Sequence, residues 1–100
     1  MSKKKNYVTL SMEGTMSLIS THRRERLLMY GIMKYCEKDD TFGYLFTNNA
    51  ITKKKIIMDM NWERTETVDN GLVKLTKEGF INRIAHGVYQ INPDIVINVC

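Results

Sequence analysis

The amino-acid sequence predicts a single α+β domain in which helices are followed by a C-terminal β-hairpin. Its 100 residues match the commonest size of one domain, and 43% hydrophobic with 26% charged residues is typical of a globular protein. Three stretches repeat apolar residues at helical spacing. Near the C-terminus, two runs of strand-forming residues flank a glycine-containing turn, which indicates a hairpin.

The N-terminal segment predicts a short strand before the first long helix. Tyr7 to Met12 alternates apolar and polar side chains, which is the period of two expected of a strand. Residues 13–20 fit either a turn or a short helical segment with Met16 and Ile19 facing the core.

The first long helix should begin at Ser20 or Thr21, because either side chain can accept a hydrogen bond from a free N–H group at a helix start. Its inward stripe is Leu28, Ile32, Tyr35 and Cys36. Arginines crowd its first turns, where the helix dipole opposes them, so they require either apolar surface to cover or a phosphate partner. They are Arg23, Arg24 and Arg26.

The remaining elements follow in the order strand, helix, turn, helix and hairpin. The aromatic-rich run 42–47 predicts a strand after the helix ends near residues 37–40. Thr52 should cap a helix over 53–60, with Ile56, Ile57 and Met60 inward, and Asn61 should end it in a left-handed conformation. We expect Trp62, the tyrosines and the methionines to be mostly core residues.

A third helix over 64–77 should bury Val68, Leu72 and Leu75 and end before Gly79. Residues 80–85 and 88–91 then predict two strands joined by a turn at His86-Gly87, and Asn92-Pro93 ends the hairpin. This order predicts a winged helix-turn-helix, an α+β fold of three main helices, a C-terminal wing and a short N-terminal strand.

The stretch from Thr52 to Ile95 resembles the RepL family, the replication proteins of Firmicute plasmids and related phage elements. Its most distinctive piece, 87–93, reads Gly-Val-Tyr-Gln-Ile-Asn-Pro and is similar to the family's Gly-Val-Tyr-x-x-Asn-Pro wing ending. Supporting similarities are Thr67-Val68-Asp69-Asn70, the run from Leu75 to Ile81, and Arg83-Ile84. The resemblance implies binding to double-stranded DNA connected with plasmid replication or its copy control.

The third helix is the predicted recognition helix, because such a helix presents its N-terminal half to the major groove. Arg64 could contact guanine, Asn70 adenine, and the threonines a thymine methyl group or a phosphate. The alternative is that these side chains are only a solvated helix face. Because carboxylates are unfavourable near phosphates, Glu63, Glu66 and Asp69 must face away from DNA, contact cytosine amino groups or hold Arg64 in place. The residues expected to be exposed on it are Arg64, Thr65, Thr67, Asn70, Gly71, Lys74 and Lys77.

Further cations lie beside this helix in the predicted fold. Lys53 and Lys54 open the second helix, which crosses the DNA backbone in this motif, so phosphate contact is expected there, with ordinary solvation as the alternative. Arg83 and His86 flank the wing turn, where phosphate or minor-groove contacts are common. The lysines within residues 1–6 form either a DNA-contacting arm or a solubilising tail.

Bulk charge is a weak indication of a nucleic-acid partner. The net charge is +4, but residues 1–49 hold eight basic and five acidic side chains, and residues 50–100 hold seven and six. We therefore expect the domain over 7–94 to bind DNA as a homodimer, since a monomer with this charge would bind weakly. The apolar tail, 95–100, either covers the domain's own core or contacts the second subunit.

The sequence also sets expectations about other functions. It has no nucleophile–histidine–carboxylate arrangement, no phosphate loop and no metal-ligand spacing of His22 or His86 with the two cysteines, so we expect no enzyme activity, metal or cofactor. It has no apolar stretch of membrane-spanning length, and two distant cysteines favour free thiols in the cytoplasm. The alternatives are a small transcriptional repressor and a protein–protein interaction module without DNA contact.

Overall fold

The computed structural model describes residues 9–97 and has an α+β architecture. Its helices are α1 (Met12–Ile19), α2 (Arg23–Tyr35), α3 (Ala50–Met60) and α4 (Glu66–Lys77). Its strands are β1 (Thr9–Leu10), β2 (Glu37–Asp39), β3 (Gly43–Thr47), β4 (Ile81–Ala85), β5 (Val88–Ile91) and β6 (Val96–Ile97), and a single 3-10 turn (Pro93–Ile95) precedes β6.

The core lies between the long helices and the larger sheet. The predicted stripe of α4 is confirmed, because Val68, Leu72 and Leu75 are all buried. α2 contributes Leu28, Met29 and Ile32, α3 contributes Ile56, and the sheet contributes Phe46, Ile81 and Ile91. Trp62 is half-buried against this cluster. Cys36 also belongs to the core, and burial raises the pKa of its thiol to about 11.

The larger sheet is antiparallel throughout, in the order β2-β3-β5-β4. The predicted hairpin is confirmed as β4 and β5, and Gly87 has the positive φ of 74° that its turn requires. β3 pairs with β5, with Thr47 opposite Val88, so the hairpin is fixed to the strand that precedes α3. With helices α2, α3 and α4 packed beside it, this arrangement is compatible with a winged helix.

The start of α2 differs from the prediction. His22 precedes its first residue, and neither Ser20 nor Thr21 caps it. Their hydroxyl groups instead donate to carbonyl oxygens of the preceding helix, Ser20 to Ser17 at 2.7 Å and Thr21 to Leu18 at 2.6 Å. The two side chains are therefore already used at the C-terminus of α1.

Residues 13–20 are helical, but the inward face is not the predicted one. Gly14 is buried, and a Cβ added there would lie 2.7 Å from Cβ of Ile95, so α1 approaches the 3-10 turn at this glycine. Met16 and Ile19, expected to face the core, are instead 64% and 62% exposed. Met12, expected in the first strand, opens α1 and is also exposed.

The second helix of the predicted motif also begins earlier than expected. Asn49 caps α3 by accepting from the N–H groups of Ile51 and Thr52. Thr52 is not the cap but the reciprocal member of a capping box, since its Oγ1 accepts from the N–H of Asn49 at 3.0 Å. The predicted end is confirmed, because Asn61 has φ of 57°.

Two further boundaries were not predicted. β2 forms a hairpin with β3 whose turn is closed by Asp39, which accepts from the N–H groups of Thr41 and Phe42 at 2.9 Å each. α4 begins at Glu66 rather than at Arg64. Arg64 and Thr65 thus lie in the connection between α3 and α4, at its junction with the helix.

The beginning of the C-terminal tail packs on the domain itself. β6 pairs antiparallel with β1, and Ile95 and Val96 contact the core cluster. Residues 98–100 and the N-terminal lysines lie outside the described residues, so the expected basic arm is not placed. Across residues 9–97, we find no helix with the length and apolar character needed to cross a membrane.

Candidate nucleic-acid interface

The outer face of α4 borders a shallow groove of about 790 Å³ whose other wall is the first turn of α2. Five of the predicted DNA-contacting residues line it, which places one row of polar and basic side chains along the helix. They are Arg64, Thr67, Asn70, Lys74 and Lys77. Thr65 is exposed beside Arg64 as the residue preceding α4, and its side chain makes no cap hydrogen bond.

Gly71 was expected to be exposed on this face, but it is buried. A Cβ added at Gly71 would lie 2.3 Å from Cδ2 of Leu28, so the glycine lets α4 approach α2 closely. Val73, two residues further along, is 55% exposed and borders the groove. The row on α4 therefore includes an apolar side chain as well as the polar ones.

The carboxylates of this region pair with its cations. Glu66 Oε1 lies 3.6 Å from Arg64 Nε, with both side chains largely exposed, so the interpretation that a carboxylate holds Arg64 agrees with this geometry. Asp69 faces Lys53 on α3, with Oδ1 3.0 Å from Nζ. Burial alone would raise the pKa of Asp69, but hydrogen bonds from Asn48 and Lys53 and the charge of Lys53 outweigh it and lower that pKa.

Two groove residues come from α2, Arg24 and Glu25, and the sequence analysis missed the second. Glu25 is 3% exposed, its Oε2 lies 3.7 Å from Lys74 Nζ, and its Oε1 has no hydrogen-bond partner among the described residues. Its position three and four residues before Leu28 and Met29 is the signal that places it on the buried stripe. Arg24 lines the groove beside it.

The arginine cluster at the start of α2 thus has two explanations. Arg26 donates from Nη1 to the carbonyl oxygens of Ile19 at 3.1 Å and Thr21 at 2.5 Å, so it stabilises the junction between α1 and α2. Arg24 lines the groove. The helix dipole disfavours a cation at this position, and a phosphate group bound in the groove could compensate for it.

The lysine triplet 53–55 in α3 likewise contains residues with intramolecular partners and one without such a partner among residues 9–97. Lys53 pairs with Asp69, and Lys55 Nζ lies 5.5 Å from the centre of the Tyr35 ring, a cation–π distance. Lys54 is exposed and has no carboxylate within 4 Å among residues 9–97. Of the two predicted phosphate contacts in this helix, Lys54 is the more available.

The wing brings its two predicted residues together. Arg83 on β4 and His86 in the turn are both exposed, and Arg83 Nη2 lies 3.2 Å from His86 Nδ1. The turn is held close to the α3 end of β3, because the N–H of Asn48 donates to the carbonyl oxygen of Gly87 at 2.7 Å. The wing and the N-terminus of α3 are therefore neighbours.

The comparisons with known proteins give one family. A family model described as the Firmicute plasmid replication protein, RepL, matches residues 4–99, which is nearly the whole chain and far more than the stretch that carried the resemblance. The searches of curated proteins and of solved structures gave no match. The match spans the first half as well as the α4 and wing segments. The chain therefore belongs to the RepL family of Firmicute plasmid replication proteins.

Proposed function

We propose that this protein is a winged helix-turn-helix protein, not an enzyme, that binds double-stranded DNA of its plasmid and acts in replication initiation or its control. α4 would enter the major groove as the recognition helix, α3 would cross the backbone, and the β4–β5 wing would contact phosphate or the minor groove. The family match supports the replication role.

The observation that carries this proposal is the row of side chains along α4. Arg64 just before α4 offers the group that reads guanine, and Asn70 and Thr67 on α4 offer those that read adenine and the thymine methyl. Lys74 and Lys77 follow toward the C-terminus of the helix. An α-helix fits the width of the major groove, and the exposed Lys54 and Arg83 extend the surface on neighbouring elements.

Footprinting on DNA from the gene's own replicon tests the proposal. Protection of a defined site at the origin, with affinity that falls steeply as salt rises, would support it. Protection of a promoter overlapping the protein's own gene would instead favour the transcriptional repressor. No affinity for any duplex at low salt would refute DNA binding and favour a protein–protein interaction module.

Substitution of Asn70 then tests the role of α4. Asn70→Ala should weaken binding to the footprinted site by about 1–3 kcal/mol and relax the preference at one base pair, because adenine loses its bidentate partner. Thr41→Ala, an exposed change in the turn between β2 and β3, is the control. If Asn70→Ala binds the site as tightly and selectively as wild type, α4 is not the recognition helix.

We also propose that two copies bind together through the outer face of α1. Met12, Met16 and Ile19 are 79%, 64% and 62% exposed at spacings of four and three, which forms an apolar stripe. A two-fold interface brings identical surfaces together, so like charges repel there. The stripe contains no charged residue, whereas the exposed faces of α3 and α4 carry lysines, and a second copy is therefore its best-matched occupant.

A further inference from the structure

The segment between β3 and α3 touches each element of the proposed DNA-binding surface. Asn48 follows the last residue of β3 and precedes the cap of α3. Its N–H donates to the carbonyl oxygen of Gly87, and a Cβ added at Gly87 would lie 3.3 Å from the Asn48 carbonyl oxygen. The wing turn therefore rests directly against the backbone of Asn48.

The side chain of the same residue reaches the recognition helix. Asn48 Nδ2 donates to Asp69 Oδ1 at 3.1 Å, and Asp69 also pairs with Lys53 on α3. The backbone of Asn48 thus holds the wing while its amide holds α4. Alanine would lose the contact to Asp69, and aspartate would place a second carboxylate against it.

The backbone around Asn48 is itself fixed. Thr52 Oγ1 donates to the carbonyl oxygen of Thr47 at 2.6 Å, and the Asn49 side chain accepts from two N–H groups of α3. These bonds tie both neighbours of Asn48 to the first turn of α3. A shift of Asn48 would therefore require the capping box to open, which makes it a firm anchor for the two elements it contacts.

We infer that Asn48 is a positioning residue that sets the orientation of α4 relative to the wing, so that both meet one DNA duplex in register. It makes this contribution without touching DNA. The inference rests on the proposed function, because the orientation matters only if both elements contact the same duplex. Asp69 then has two effects. It accepts the hydrogen bond from the Asn48 amide, and it pairs with Lys53, a cation that could otherwise contact phosphate.

Measurements of DNA binding can separate the effect of the Asn48–Asp69 hydrogen bond from that of the Asp69–Lys53 ion pair. The probes are a duplex carrying the footprinted origin site and a random-sequence duplex of equal length. Asn48→Ala should reduce the ratio of origin-site affinity to random-duplex affinity about tenfold, because it removes one hydrogen bond to a charged group. The random-duplex affinity and its salt dependence should stay unchanged. Asp69→Asn should instead strengthen random-duplex binding and steepen its salt slope by about one, because Lys53 is released.

The reciprocal exchange is the decisive control. Asn48→Asp alone places two carboxylates together and should lower the affinity ratio, whereas adding Asp69→Asn restores an amide-to-carboxylate hydrogen bond between the two positions and should raise the ratio again. A folded double variant whose ratio is no higher than that of Asn48→Asp, or an Asn48→Ala protein with the wild-type ratio, would overturn the inference. If Asn48→Ala does not fold in thermal denaturation, the double variant alone decides.

A measurement without DNA keeps this inference distinct from the proposed function. Amide hydrogen exchange of the free protein should be at least about fivefold faster at residues 85–88 and 48 in Asn48→Ala, since α4 no longer braces the junction. Unchanged exchange there would overturn the inference even if DNA binds. Wild-type protein that binds neither duplex would refute the proposed function, whatever the exchange result.

Discussion

The contact between α2 and α4 at Gly71 predicts a large cost for one added methyl group. In Gly71→Ala, the new Cβ would lie 2.3 Å from Cδ2 of Leu28, more than 1 Å inside ordinary carbon–carbon contact. Leu28 is fully buried, so its methyl group cannot turn into solvent. Overpacking of this severity costs about 3 kcal/mol, and the higher helix propensity of alanine offsets about 1 kcal/mol. The net loss should be about 2 kcal/mol.

Thermal and urea unfolding measure this loss. For a domain of this size, about 2 kcal/mol corresponds to a Tm lowered by about 8–16 °C. Gly31→Ala is the matched control, because its Cβ would meet Cγ1 of Ile56 at 3.1 Å and needs only a small adjustment. Leu28→Ala combined with Gly71→Ala should lose less than the two single losses added together. A Gly71→Ala protein as stable as wild type would show that α4 does not pack this closely on α2.

Three further predictions concern charge, pH and association. Lys54→Ala should reduce the salt slope of random-duplex binding by about one, and Lys53→Ala should reduce it by less, because Lys53 is already paired with Asp69. Equal effects would contradict the interpretation that Lys54 is the main phosphate contact of α3. Asp59 accepts hydrogen bonds from Tyr35 and Lys34, which lower its pKa, so its stabilisation is present above about pH 4 and lost as pH falls. Asp59→Asn should accordingly lower Tm at pH 7, and the difference from wild type should shrink as pH falls below about 4. A constant difference across pH would refute it. Met16→Lys should convert a dimer to a monomer in sedimentation equilibrium, whereas Met58→Lys, a change at the more exposed methionine on α3, should not. A dimer that survives Met16→Lys excludes the α1 face.

The elements that sequence analysis placed well are those governed by local periodicity and turn chemistry. Val68, Leu72 and Leu75 recur at helical spacing, so the buried face of α4 follows from the sequence alone. Asn61 and Gly87 lie at positive φ, where few residue types are tolerated, and they marked the end of α3 and the wing turn. The polar and basic side chains on the outer face of α4 follow from the same periodicity, and their contact with DNA stays a prediction.

The errors arose where a side chain is used by a distant or competing partner. Thr21 has the chemistry of a helix cap but donates to the end of α1, a choice that periodicity cannot indicate. Gly71 falls at the edge of the exposed face of α4, and only the position of α2 decides that it is buried. Asn48 carries no local signal at all, because its partners lie 21 and 39 positions away in the chain.

Under the proposed function, the paired cations would let a chain of modest charge discriminate between DNA sequences. Arg64, Lys53 and Lys74 each have a carboxylate within 4 Å, so contact with phosphate or base must compete with Glu66, Asp69 or Glu25, respectively. That competition lowers the affinity for any duplex, and it lowers the affinity for a wrong sequence most, since no base contact there compensates for the lost pair. Under the proposed function, tight binding would then require a matched site, and a second copy would double the number of phosphate contacts that a chain of net charge +4 can offer.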